Sequence, residues 1–86
     1  MNAKHALTPY KKRVVRSKAG KLLADGRTRE QAAREIAATI DAATDLRVVG
    51  PIGELIDALD DGVIYLVVLA VVSAVDDARL RRAARG

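Results

Sequence analysis

The chain has 86 residues, of which 50% are hydrophobic and 30% charged, with a formal net charge of +4. That length admits one small domain, which buries only about 60% of the surface its unfolded chain exposes. With no cysteine and a single histidine, disulfides, thiolate chemistry and nearly all zinc chemistry are excluded.

Charge is sorted along the sequence. Met1–Arg34 carries ten basic and two acidic residues, Glu35–Ala78 carries nine acidic residues and only Arg47 as a base, and Arg79–Gly86 adds four arginines. A chain basic at both ends and acidic in the middle can fold its arms onto its own centre or present them to phosphates. Tyr10 and Tyr65 are the only aromatic residues, so the core has to come from Val, Leu, Ile and Ala. Met1–Ala24 lacks the apolar stretch of about 7–15 residues that a secretory signal requires. The expected location is therefore the cytoplasm, with membrane association left open.

Residues 1–8 are expected to be mobile, and His5 has no partner there. Thr8-Pro9 reads as a helix start, with Thr8 as the N-cap and Pro9 at the first helical position, where a missing N–H costs nothing. A first helix is predicted from Pro9 to Ala24, with Val15, Ala19, Leu22 and Leu23 on its apolar side. Asp25-Gly26 should end it, because Gly26 can take positive φ. Thr28–Gln31 has the form of a capping box, and a second helix is predicted over Arg29–Thr44, with Ala32, Ala33, Ile36, Ile40 and Ala43 on one stripe. The two helices should make an αα-hairpin.

Asp45–Gly53 contains Gly50-Pro51 and Gly53, which break helices, and is read as a loop. A helical pattern resumes at Glu54 and is amphipathic as far as Gly62. From Gly62 to Val75 the sequence GVIYLVVLAVVSAV carries no charge and is bracketed by Asp60-Asp61 and Asp76-Asp77. Val63–Val75 is rich enough in Val to suggest a strand, but it lacks alternation and is long without a turn, so helix is preferred. A helix apolar around its whole circumference is normally surrounded by protein or lipid. At 1.5 Å per residue, fourteen residues cover about 21 Å, short of a hydrocarbon core of about 30 Å. The run is thus too short to span a membrane alone and too apolar to stay uncovered.

The polar residues do not converge on a nucleophile, an acid–base pair or a metal site. Glu54, Asp57, Asp60 and Asp61 could offer oxygen ligands to Mg²⁺ or Ca²⁺, but such spacing on a helix more often marks a solvated or ion-paired face. No P-loop, dinucleotide-binding or HExxH pattern occurs. No cofactor, small-molecule substrate or catalytic residue is indicated. For nucleic acid, Lys11, Lys12, Arg13, Arg16 and Lys21 could supply sequence-independent phosphate contacts. Leu22–Ala37 has the flavour of a helix-turn-helix opening, yet no recognition helix follows after a tight turn.

Asp45-Leu46, then Gly50 and Gly53, then Leu59-Asp60-Asp61 ahead of an apolar helix, resembles the YkvA-like domain of unknown function. That family's signature is Asp-Leu-Ile-Pro, a glycine, and Leu-Asp-Asp before a hydrophobic helix. The likeness covers about a third of the chain, has Arg47-Val48 in place of Ile-Pro, and has a longer spacing to the Asp pair. It implies a small helical protein without known catalysis, with Asp45, Asp60 and Asp61 as its marked residues.

The sequence thus predicts an all-α domain: a basic helical hairpin followed by a long C-terminal helix whose second half is apolar. The expected function is non-enzymatic helix association through Val63, Val67, Val68, Ala70, Val71, Ala74 and Val75, with a second copy or with a partner at or near a membrane. The alternative is a small basic nucleic-acid-binding protein.

Overall fold

A computed structural model of the chain describes residues 4–49 and 61–85. The fold is mostly helical, with a short two-stranded sheet. In chain order the elements are β1 (Lys4–Leu7), α1 (Pro9–Ala24), α2 (Arg29–Ala37), the single-turn α3 (Ala42–Asp45), β2 (Leu46–Val49) and α4 (Asp61–Ala84).

Local signals set the hairpin. The Thr8 side chain accepts from the Lys11 amide at 3.3 Å, and Pro9 opens α1 where no intrahelical donor is needed. At the far end Gly26 takes φ 94°, a conformation that costs an L side chain energy. The Thr28 capping box is complete: the Gln31 amide donates to Thr28 Oγ1 at 3.1 Å and the Thr28 amide donates to Gln31 Oε1 at 3.0 Å. The expected helical hairpin is therefore present.

Two expectations are corrected. The second helix stops at Ala37 instead of running to Thr44. Thr39 and Ile40 donate their amides to Ile36 and Ala37, three residues back, and the Thr39 hydroxyl also donates to the Ile36 carbonyl at 2.7 Å. Asp41 then accepts from the Ala43 amide at 3.0 Å and caps a fresh turn. Side chains that bond to nearby backbone compete with helix propagation, and here they redirect it. The second correction concerns residues 4–7 and 46–49, within the stretches 1–8, expected to be mobile, and 45–53, expected to be a loop; residues 1–3 lie outside the described residues. Lys4–Leu7 and Leu46–Val49 pair as antiparallel strands, with Leu7 opposite Leu46 and Lys4 opposite Val49. Leu7 and Leu46 are both buried, so covering their apolar side chains is what draws the two segments onto the helices. The Thr8 amide extends the pairing by donating to the Asp45 carbonyl at 2.9 Å. The remainder of the expected loop, the start of the helical pattern at Glu54 and Glu54, Asp57 and Asp60 themselves lie outside the described residues.

Ile36, Val15, Val68 and Val72 are the largest fully buried side chains, and alanines 19, 32 and 33 fill the narrow spaces between the helices. Small residues let the backbones approach closely, so that a core without Phe or Trp is closed by alanines between the valines and leucines. The helix directions follow from which ends meet. Pro9 and Lys12 border the same groove as Leu66–Val71, whereas Arg16–Ala24 border Ala74–Arg82, so α1 and α4 run in the same direction. Arg29, at the start of α2, reaches Asp76 and Asp77 near the end of α4, so α2 runs opposite to it.

Candidate functional site

The charge-free run forms the first half of α4, as a helix and not a strand. Its circumference is unequally used. Val68 and Val72 point into the core and are fully buried, while Ile64, Tyr65, Val67, Leu69, Val71 and Val75 are half-buried against it. On the opposite side Leu66 is 62% exposed and Leu80 is 58% exposed, with Ala70 and Ala74 exposed between them. At 100° per residue, Gly62, Leu66, Ala70, Ser73, Ala74, Asp77 and Leu80 share this outward face. From Gly62 to Ala74 that face carries no charge.

The seven residues expected to meet a partner therefore separate. Ala70 and Ala74 lie on the outward face, Ala70 also bordering the groove beside the sheet and Ala74 the groove on the α1 side. Val67 and Val71 line a groove of about 600 Å³ between α4 and the sheet, with His5, Lys12 and Arg47 also on its lining. Val75 lines a second groove, on the α1 side, and Val63 is half-buried near the start of the helix. Val68 is a correction: it faces the chain's own α1 and α2 and has no surface left for a partner. Leu66 and Leu80 were missed. Leu66 sits inside the apolar run, but its orientation became legible only once the buried side of the helix was known.

The Asp-Asp bracket at the end of the run is an anchor. Arg29 Nε donates to Asp76 Oδ2 at 2.7 Å, and Arg29 Nη2 donates to Asp77 Oδ1. These two bonds, that to Asp76 first, raise the Arg29 pKa above its already high ordinary value. Asp76 also lies 3.9 Å from Arg79 Nη1. Arg27 and Glu35 make a further pair at 2.8 Å across the hairpin turn.

The five expected phosphate ligands separate in the same way. Lys11 is committed to the fold: its Nζ lies 3.4 Å from Asp45 Oδ2, and both side chains are largely covered. The Asp41 amide donates to the same Asp45 carboxylate at 2.8 Å, and this bond, with Lys11 adding to it, holds the Asp45 pKa below its ordinary value. Lys12 borders the groove beside the sheet, and Arg13 is exposed. Arg16 and Lys21 border a groove of about 760 Å³ between α1 and the C-terminal half of α4, where Arg79 and Arg82 face them. The sequence grouped the lysines and arginines of α1 but could not bring the C-terminal arginines to them, because that needs the direction of α4.

Among the described residues, no cluster of three or more His, Cys, Asp or Glu side chains is placed to hold a metal ion, and no helix is long and apolar enough to cross a membrane. No protein-family model, curated protein or solved structure matches the chain. Of the residues that carry the YkvA-like resemblance, the structure describes Asp45, Leu46 and Asp61; Gly50, Gly53, Leu59 and Asp60 lie outside the described residues.

Proposed function

We propose that this chain is a non-catalytic association module whose outward α4 face meets the same face of a second copy, with the two helices antiparallel. The observation that carries the reading is the 62% exposure of Leu66 beside the exposed Ala70 and Ala74, on a face whose first half has no charge, in a helix already packed on its other side. Exposed apolar side chains in register along one helix favour a helical partner over water.

Antiparallel pairing follows from size and charge along the stripe. Centred on Ala70, it seats Leu66 of each copy on Ala74 of the other and lets the backbones approach at the alanines. Parallel pairing would set Leu66 on Leu66, Asp77 against Asp77 and Arg81 against Arg81. Like charges directly opposed are destabilising, whereas the antiparallel arrangement carries Asp77 away to the level of Val63.

Sedimentation of the wild-type protein and of Leu66→Asp tests this. The wild type should shift to a dimer with rising concentration, and Leu66→Asp should stay monomeric with unchanged helicity. Orientation is read from single cysteines, which the native sequence lacks. Ala70→Cys should crosslink to itself and Leu66→Cys should not. A wild type that remains monomeric at every concentration, or that instead partitions onto lipid vesicles, overturns the proposal.

A further inference from the structure

The groove between α1 and α4 borders the outward face at Ala74 and is lined by Arg16, Lys21, Arg79 and Arg82 over a floor of small residues that includes Gly20 and Ala78. No acidic side chain lines it, and α1 contains no acidic residue over its whole length. On α4, Asp76 and Asp77 are held on the other side by Arg29, which leaves Arg79 with only the 3.9 Å approach to Asp76.

Helix dipoles account for part of this charge. Because α1 and α4 run in the same direction, their carbonyl ends lie at the same end of the molecule, where Lys21 and Arg82 sit in the last turns. Each helix end is equivalent to about half a negative charge, so two ends offset about one of the four cations. With the approach of Asp76 to Arg79 also counted, a surplus of about two positive charges remains in the groove, open to an anion from outside the molecule.

We infer that this groove binds the phosphodiester backbone of a nucleic-acid duplex, without regard to base sequence. Three of the four cations are arginines, whose planar fork matches phosphate oxygens bidentately. Small residues on the floor leave room for a backbone between the two rows. Stacking platforms for single strands need aromatic side chains, and neither Tyr10 nor Tyr65 lines this groove. The inference does not depend on self-association, because its cations lie on the α1 side of α4.

Fluorescence anisotropy with labelled DNA and RNA duplexes of arbitrary sequence, titrated over a range of salt, tests it. Binding to at least one duplex type should be independent of sequence, and four phosphate contacts predict a slope of log K against log salt of about −3.6. Arg16→Ala with Arg82→Ala should reduce the magnitude of that slope by about 1.8 and weaken binding at least tenfold at moderate salt. The charge-matched control, Arg34→Ala with Arg47→Ala, removes two exposed arginines elsewhere and should weaken binding much less. Thermal melts establish that each variant is folded. Absence of duplex binding at low salt overturns the inference, as does an equal loss in both double variants, which would reduce it to net charge. Groove-dependent binding to phosphatidylserine vesicles with no binding to either duplex overturns it in favour of lipid headgroups. Sedimentation of the Arg16→Ala, Arg82→Ala variant separates this outcome from the fate of the dimer: self-association should be retained.

Discussion

α4 meets the rest of the molecule along two seams, and they use arginine in opposite ways. On the α2 side Arg29 forks onto Asp76 and Asp77, so charge is compensated and the helix ends are tied together. On the α1 side Arg16, Lys21, Arg79 and Arg82 face one another with no carboxylate among them. Both seams share the same floor, since Val68 and Val72 are buried between α1 and α2. The difference teaches that the acidic middle of the sequence does not neutralise its basic ends evenly. Asp76 and Asp77 are spent on one side of α4, and the other side keeps the positive field.

The comparison can be broken or sharpened by substitution. Val68→Asp should have the largest effect, because a charge without a partner in the shared core costs several kcal/mol, a large share of a small domain's stability. Loss of the cooperative melt in circular dichroism checks this, and an intact melt would mean that the two seams do not close on one core. Gly26→Ala comes next. A Cβ at Gly26 would meet nothing within 4 Å, so its cost of about 1–2 kcal/mol is purely that of a non-glycine residue at positive φ. Urea unfolding should report this as a lower midpoint with an unchanged slope.

Arg29→Ala should be smaller but diagnostic. It removes the Arg29 bonds to Asp77 and Asp76, leaving Asp76 only the 3.9 Å approach of Arg79, and lowers the thermal midpoint, with a difference from wild type that shrinks as salt is added. Arg79→Ala, which loses only the 3.9 Å approach to Asp76 beside the basic groove, should change stability by no more than about 0.5 kcal/mol. If the two behave alike, the seams are not distinct. The smallest effect is acid-specific. Asp45 titrates below its ordinary value in the folded protein, so its contribution is present above the unfolded pKa of 3.8 and is lost as pH falls through the folded value. Asp45→Asn should remove that part of the acid limb and leave the alkaline side unchanged, as read by unfolding midpoints across pH.

How much of this was legible in the sequence depended on range. Thr8-Pro9, the Thr28 capping box and Gly26 act over three or four residues, and each is where the residues place it. Ala38–Thr44 misled because Ile40 and Ala43 keep a helical period while the Thr39 hydroxyl and Asp41 carboxylate stop the helix locally. The strands were not legible, since KHAL and LRVV are each four residues long and gain their pairing from each other across about half of the chain. The apolar run gave the helix but not its orientation. Which valines are covered depends on where Val15 and Ile36 lie, and that information resides in other elements. The basic groove was half legible, in Arg16 and Lys21; its other half required α4 to run alongside α1.

The strand pairing also sets an order of events as the chain folds. The α1–α2 turn closes over the few residues of Asp25–Thr28, whereas Leu7 must find Leu46 through a loop about ten times longer. Closure entropy grows by about 0.6 kcal/mol per doubling, so that contact costs about 2 kcal/mol more to form than the turn. The helical hairpin should consequently be structured in the transition state, with the strand ribbon forming after it. Deleting the residues before Thr8 would then speed unfolding while leaving the refolding rate nearly unchanged, making the ribbon a late-fastened clasp that sets the lifetime of the native state.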